Sequence, residues 1–333
     1  MPSAVVLFSG GLDSMLSIRI LQRQGFEVEA LNIRTIYSCC QATAAQTATA
    51  LGARLTVISV GNDYLEVLRN PFYGYGRGVN PCVDCRIYMC RLAGRFMEEV
   101  GACVVATGEI AGQRPMSQKR HQLDLIARRS GLEGRLLRPL SAKLLAPTDP
   151  ELEGLIDRER LYDFNGRGRR KLIELAEKLG VGDLGVGEIP SPSTGCALTE
   201  RSFAPRVRDL LHYHPDAGRW GFELLSYGRH FRFDRATKIV LGRNANENTT
   251  LGRFAARDDA PEVALLAPEN FPGPEALVIG KAAGPVLDFA GGLMLRYANR
   301  ADGRRARVYV TEAGSRRTVH IRADAKAQRV PAL

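Results

Sequence analysis

Ala4-Val5-Val6-Leu7-Phe8-Ser9-Gly10-Gly11-Leu12-Asp13-Ser14 decides the reading of this chain. The unbroken apolar run is what a strand buried on both faces requires. It leads into a glycine turn flanked by hydroxyls, and then into apolar residues at helical spacing, Met15, Leu16, Ile18 and Leu21. Glycine lets main chain approach an anion closely. The first helical turn adds unpaired N–H groups at the positive end of the helix dipole. Asp13 in such a loop repels a phosphate unless a cation lies between them. The stretch therefore implies a phosphate site with Mg²⁺, which takes one or two carboxylates beside phosphate oxygens. The Gly-Lys-Ser/Thr ending of a Walker loop is absent.

On either side of this turn the first half of the chain alternates strand and helix patterns, the mark of a parallel sheet covered on both faces. Strands are expected at Ala4–Phe8, Glu27–Ile33, Arg54–Ser59 and Cys103–Thr107, with a short one near Leu136–Pro139. Helices are expected at Ser14–Gln24, Ala42–Leu51, Arg86–Val100, Gly168–Leu179 and Ala204–His212. Ligands of such sheets bind beyond the carboxyl ends of the strands, so the loops after Phe8, Ile33 and Thr107 should share one pocket. Beyond Trp220 short strands follow at Phe231–Phe233, Lys238–Leu241, Val263–Leu266, Ala276–Ile279, Leu293–Ala298 and Arg307–Val310, and the final dozen residues read as frayed. The expected fold is α/β, a doubly wound parallel sheet over 1–187. A connector over 188–220 carries Cys196, and a smaller α+β or mostly β domain fills 221–333.

The chain has 333 residues, 45% of them apolar and 25% charged, as in ordinary globular proteins. No run approaches the ~18 apolar residues of a membrane span. With a core strand at its very start and no secretory leader, the chain is expected in the cytoplasm, away from membranes. A net charge of +10 favours polyanions. The cations cluster at Arg167–Lys171, at Arg201, Arg206 and Arg208, and from Arg296 to Arg322.

Seven cysteines in such a chain point to metal or catalytic use rather than disulfides. Cys90 and Cys103 read as small buried hydrophobes, and Cys39-Cys40 take no assignment. Cys82 and Cys85 form a C-x-x-C in front of a helix, and Cys85 beside Arg86 is expected to have a lowered thiol pKa. Cys196 lies far downstream, in Ser193-Thr194-Gly195-Cys196. Three thiolates from two loops suit a [4Fe–4S] cluster with one open iron, a zinc ion with an outside ligand, or a metal-free persulfide and disulfide cycle. The five histidines show no metal-ligand spacing with the cysteines.

Ser9-Gly10-Gly11-Leu12-Asp13-Ser14 resembles the PP-loop (SGGxDS) of the ATP pyrophosphatase superfamily, with its adenine nucleotide alpha hydrolase-like fold. Asn80-Pro81-Cys82-Val83-Asp84-Cys85 is similar to the NPCxxC segment of 2-thiouridylases. Thr107-Gly108-Glu109, Gly112-Gln113, Ser117-Gln118 and Leu137-Arg138-Pro139-Leu140 are similar to the TGE…GQ…SQ…LRPL series of 4-thiouridine synthases. The resemblance covers the first ~200 residues and implies the tRNA thiolation branch. It implies ATP at Ser9, Gly10, Gly11, Leu12, Asp13 and Ser14, with adenine near Ile33, and with Thr107, Gly108, Gln113 and Ser117 as further nucleotide-binding positions. Asp13, Cys82, Cys85 and Cys196 become the catalytic residues, the three cysteines holding a [4Fe–4S] cluster in preference to a persulfide or zinc. Neither the N-terminal tRNA-binding module nor the rhodanese-like tail of 4-thiouridine synthases is expected in this chain. Gly242-Arg243-Asn244, Glu247-Asn248 and Pro272-Gly273-Pro274 faintly resemble the RNA-binding domain of ribosome-quality-control proteins.

The implied activity is an ATP-dependent tRNA sulfurtransferase. Its substrate partner is tRNA, its sulfur comes from sulfide or a cysteine desulfurase relay, and a homodimer is compatible with it. Two rivals remain: a PP-loop enzyme amidating or thiolating a small molecule, and a zinc-stabilised RNA-binding protein with a relic nucleotide site.

Overall fold

The computed structural model describes residues 1–37, 44–182, 196–298 and 306–333. Cys39, Cys40, the Ser193–Gly195 approach to Cys196, most of the Gly182–Pro192 connector, and Arg300, Arg304 and Arg305 lie outside the described residues. Two compact units divide the chain, Met1–Thr199 and Glu200–Leu333. Cys196 thus belongs to the first unit.

The first unit is built in the order β1 (Ser3–Leu7), α1 (Leu12–Gln22), β2 (Glu27–Arg34), α2 (Ala44–Ala50), β3 (Arg54–Ser59), α3 (Tyr64–Arg69), α4 (Cys82–Glu99), β4 (Val104–Thr107), α5 (Arg120–Ser130), β5 (Leu136–Leu137), α6 (Asp149–Leu152) and α7 (Arg170–Lys178). Its strands form a five-stranded sheet ordered β3-β2-β1-β4-β5, every pair parallel. The order reverses beside β1, so the loops after β1 and β4 flank the switch point where such sheets bind ligands. Val5 and Val6 are fully buried and point to opposite faces, so β1 is covered on both sides. The helix α1 buries Leu12, Met15, Leu16, Ile18 and Leu21, which packs the turn at its N-terminus against the sheet.

The second unit runs α8 (Ala204–Tyr213), α9 (Arg219–Leu224), β6 (Arg229–Arg232), β7 (Lys238–Leu241), α10 (Ala245–Ala255), β8 (Val263–Pro268), β9 (Ala276–Ile279), α11 (Gly284–Tyr297), β10 (Arg307–Glu312), β11 (Ser315–His320) and α12 (Ala325–Arg329). Its antiparallel sheet is ordered β11-β10-β8-β9-β7-β6. Ile239 and Leu241 face a core completed by Phe289, Leu293 and Met294 of α11. Val240, between them, faces Trp220, Leu251 and Phe254 on the other side. Strand alternation thus feeds two cores, one per face.

Three expectations fail here. The strand expected at Leu293–Ala298 is the end of α11. Gly291 and Gly292 sit where the segment leading into α12 crosses the helix: a Cβ on Gly292 would meet the Asp324 Cβ at 2.6 Å. The last dozen residues are anchored rather than frayed. Asp324 accepts from the Ala327 N–H at 2.7 Å, and Arg296 donates to the carbonyls of Ala327 and Val330. In the first unit, α4 begins at Cys82 itself, so the C-x-x-C forms the first helical turn instead of preceding it.

Candidate active site

Gly10 has φ of 79°, a left-handed turn that favours glycine, and Gly11 caps α1 in extended geometry. The Ser14 hydroxyl donates to the Gly11 carbonyl at 2.7 Å, which closes the turn from inside. The Asn32 amide donates to the Phe8 carbonyl at 2.7 Å and fixes the end of β1 against β2. Ser9 is exposed and Asp13 half-buried, so the loop is open to a ligand. Ile33 closes β2 as a core residue, 4% exposed.

The loop after β4 lies directly on this turn. A Cβ on Gly108 would fall 2.6 Å from the Asp13 carbonyl carbon and 2.7 Å from the Ser14 nitrogen. The Ser17 hydroxyl donates to the Asp13 carbonyl at 2.9 Å and reaches the Thr107 carbonyl at 3.4 Å. The Gln113 amide donates to Asp13 Oδ2 at 3.1 Å. Burial pushes the Asp13 carboxyl up, against the Gln113 hydrogen bond and the charges of Arg169 and Arg114, which pull it down. Arg167 donates to the Gln113 carbonyl at 3.2 Å. The basic stretch at 167–171 is thereby held beside the glycine turn, a placement its spacing in sequence does not reveal. Asp13 fits the carboxylate share of a Mg²⁺ site whose other oxygens come from phosphate and water.

The same loop reaches the cysteine pair. Asn80 Nδ2 donates to Cys82 Sγ at 3.1 Å and to Met116 Sδ at 3.4 Å. Met116 and the buried Ser117 follow Gln113 closely in sequence, so Asp13, Gln113, Met116, Asn80 and Cys82 form one connected run. Beneath it, Glu109 is 3% exposed and pairs with Arg138 Nε at 3.3 Å and Arg86 Nε at 3.4 Å. Burial works against the Arg86 charge, but Glu109 holds it and its pKa rises. Glu109 and Arg138 escaped the reading of site residues, although both stand in the quoted motifs; only their pairing across the fold reveals the role.

Cys85 Sγ lies 3.2 Å from the Tyr64 hydroxyl. Burial pushes the Cys85 thiol up, opposed by that hydrogen bond and by Arg86. The expected lowering is therefore reversed: desolvation outweighs the helix terminus and the neighbouring cation. Tyr64 is itself held well above its ordinary range by burial, by Cys85 and, more weakly, by Cys196. Cys196 thus stands within electrostatic reach of Tyr64. Its segment docks on the approach to Cys82, where the Val79 N–H donates to the Leu198 carbonyl at 3.2 Å. Burial pushes Cys90 to about 12, in keeping with a packed hydrophobe.

Among the described residues, no group of three or more His, Cys, Asp or Glu side chains is gathered as a metal site. Cys82, Cys85 and Cys196 are thus not gathered, among the described residues, as a ligand set for the expected [4Fe–4S] cluster or its zinc alternative. Cys85 is engaged by Tyr64, and Cys82 by Asn80.

In the second unit, the Gly242–Asn248 motif forms the start of α10. Asn244 accepts from the Glu247 N–H at 3.0 Å, Arg243 Nε pairs with Glu247 Oε1 at 2.9 Å, and Asn248 Oδ1 accepts from the Glu275 N–H at 3.1 Å. These contacts are structural. The exposed cations of this unit include Arg316 and Arg317 on β11. No described helix is long and apolar enough to cross a membrane.

A parallel sheet with a glycine turn at its switch point defines a nucleotide-binding domain, and the comparisons give its class. Residues 3–130 match the family described as tRNA methyl transferase HUP domain, and residues 228–330 match the NFACT protein RNA binding domain. The matched N-terminal part is thus similar to PP-loop domains of the tRNA-thiolation branch.

Among particular relatives, the chain is 34% identical over 109 residues to the tRNA-specific 2-thiouridylase MnmA of Sulfurimonas denitrificans, covering 30% of this chain and 32% of that one. It is 27% identical over 234 residues to the MnmA of Azorhizobium caulinodans, covering 65% of this chain and 55% of that one. The chain thus spans about a third of the length of the first relative and about half of the second. A solved 4-thiouridine synthetase–RNA complex with bound ATP is 19% identical, with a TM-score of 0.32 over 56% of this chain and 53% of that one.

Proposed function

We propose that the chain is an ATP-dependent tRNA sulfurtransferase. The observation that carries this reading is the connected run from Asp13 through Gln113, Met116 and Asn80 to Cys82. It joins a phosphate-binding turn to a cysteine-bearing segment, the pairing that oxygen-for-sulfur exchange needs. The 2-thiouridylase relatives and the RNA-binding family matched by the second unit support tRNA as the substrate.

A uridine carbonyl is inert to sulfur because it would have to expel oxide. In the proposed reaction its oxygen attacks the α-phosphorus of ATP, and pyrophosphate leaves. The N–H groups at the start of α1, together with Arg114 and Arg169, offset the charge on the departing pyrophosphate. Asp13 would hold Mg²⁺, which supplies further charge neutralisation when bound. The terminal sulfur of a cysteine persulfide then attacks the activated carbon. A C–S bond forms as the C–O bond to AMP breaks. A second thiolate of the Cys82, Cys85 and Cys196 set attacks the inner sulfur and releases the thiolated base, leaving a cysteine disulfide. A persulfide donor reloads the site once a thiol reductant has reopened that disulfide. The sulfur step is written through a persulfide and needs no metal.

The test incubates the purified chain with ATP, a persulfide donor and unmodified tRNA, and reads nucleosides by mass spectrometry. Thiouridine and AMP should form in equal amounts, and Asp13→Asn should abolish both. AMP formed without a thionucleoside would overturn the reading. Thiolation that requires iron after anaerobic purification would overturn its metal-free sulfur step.

A further inference from the structure

Phe72 is 80% exposed and Tyr75 38%, in the segment Phe72-Tyr73-Gly74-Tyr75-Gly76-Arg77 that leads to the cysteine pair. A single exposed aromatic is ordinary. This one is held in place. The Phe72 and Tyr73 N–H groups donate to Asp84 Oδ1 and Oδ2 at 2.9 and 3.1 Å. Asp84 stands between Cys82 and Cys85 in the first turn of α4. The Phe72 and Tyr73 rings meet edge to face at 4.9 Å. The Tyr75 hydroxyl donates to the Leu68 and Arg69 carbonyls at 2.6 and 2.9 Å, pinning the segment to the end of α3. Arg77 is exposed beside them.

An apolar ring left in water, on backbone fixed by the same helical turn that carries the sulfurs, has its ordering cost already met. A planar π-faced group on a polyanion suits an aromatic face bordered by an arginine. We propose that Phe72 is the stacking platform for an unpaired RNA base, which it holds at the mouth of the Cys82–Cys85 site. The inference rests on the sulfurtransferase reading and names the element that receives its base. Chemistry on a base carbonyl requires the base to leave its stack, and the site must replace the stacking it loses. Asp84 acts as a positioning residue, since it reaches the base only through the loop it holds.

Phe72→Ala, Phe72→Leu and Phe72→Trp test this in the full chain with unmodified tRNA. Phe72→Ala should raise both the Kd and the KM for tRNA about tenfold, and leave the Kd for ATP unchanged. Phe72→Trp should restore the Kd to within about twofold, whereas Phe72→Leu should not. The Phe72→Trp emission should be quenched by tRNA over the constant background of Trp220. Equal tRNA binding by Phe72→Ala, rescue by leucine, or unquenched emission would each overturn the proposal. So would a loss confined to the KM of a protein sulfur donor, which would make the patch a protein dock. Quenching by tRNA in a chain that forms no thionucleoside would leave the platform standing and remove the sulfurtransferase reading alone.

Discussion

Gly108 has no room for a side chain, because its Cα lies over the peptide that joins Asp13 to Ser14. Gly108→Ala should force the glycine turn away from β4, cost about 1–3 kcal/mol and depress AMP formation by about tenfold or more. Steady-state AMP release beside a thermal melt separates the two effects; unchanged turnover would mean that the loops yield freely. Tyr64 bears on the sulfur in a different way. Its hydroxyl is one of two influences that lower the Cys85 pKa against burial. A step that needs the Cys85 thiolate should therefore speed up as pH rises, and keep rising above the ordinary thiol range. Tyr64→Phe removes the hydrogen bond, so the alkaline rise should move to higher pH. A pH–rate profile of thiolation under single-turnover conditions reads this directly, and an unmoved limb would assign the titration elsewhere.

At the scale of elements, the first turn of α4, the loop after β4 and β5 are locked by Glu109 between Arg86 and Arg138. Removing the anion leaves a 3%-exposed Arg138 side chain without its countercharge. Glu109→Gln should destabilise the chain by about 3–5 kcal/mol, measured as a lowered urea midpoint. The elements of the first unit were legible because its strands are continuous apolar runs bounded by turn residues. Arg54–Ser59 carries its expected limits, and the glycine turn announced itself because all its chemistry is local. The ion triad was not legible: its members lie far apart in sequence, and spacing says nothing about pairing across a fold. The helix α10 escaped notice because Ala245–Ala255 is polar and threonine-rich, and it depends on the Asn244 cap and on Leu251 and Phe254 packing against the sheet. The end of helix α11 was read as a strand; its paired glycines, Gly291 and Gly292, admit a crossing segment that no sequence spacing reveals. Nor can a count of thiols tell that Cys85 meets the Tyr64 hydroxyl and that Cys82 accepts from Asn80.

On the scale of the whole molecule, stability against pH should be set in part by His230 of the second unit. Its ring is fully buried, Nε2 meets the Tyr227 carbonyl at 2.8 Å, and Nδ1 has no hydrogen-bond partner among the described residues. Burial, with Lys238 and Arg206 nearby, holds its pKa well below the ordinary value. The folded state thus refuses a proton that the unfolded chain accepts. The stability is intact above about 6.5 and is lost as pH falls from there towards the depressed folded value. Trp220, the single tryptophan and a core residue of this unit, reports its unfolding by fluorescence. The urea midpoint should fall between neutral and mildly acidic buffer, and His230→Gln should flatten that fall; an equal slope would exonerate the histidine. The described sheet of the same unit ends at β11, whose main chain lines its border, with Arg316 stacked on Tyr309 at 3.6 Å and Arg317 exposed beside it. Such a border invites strand addition by a second copy, and guanidinium groups along it repel their own kind. Exchanging both arginines for threonine should turn a clear solution turbid on storage, followed by light scattering. The charge at that rim would then be a guard against ribbon-like aggregation, whatever else it attracts.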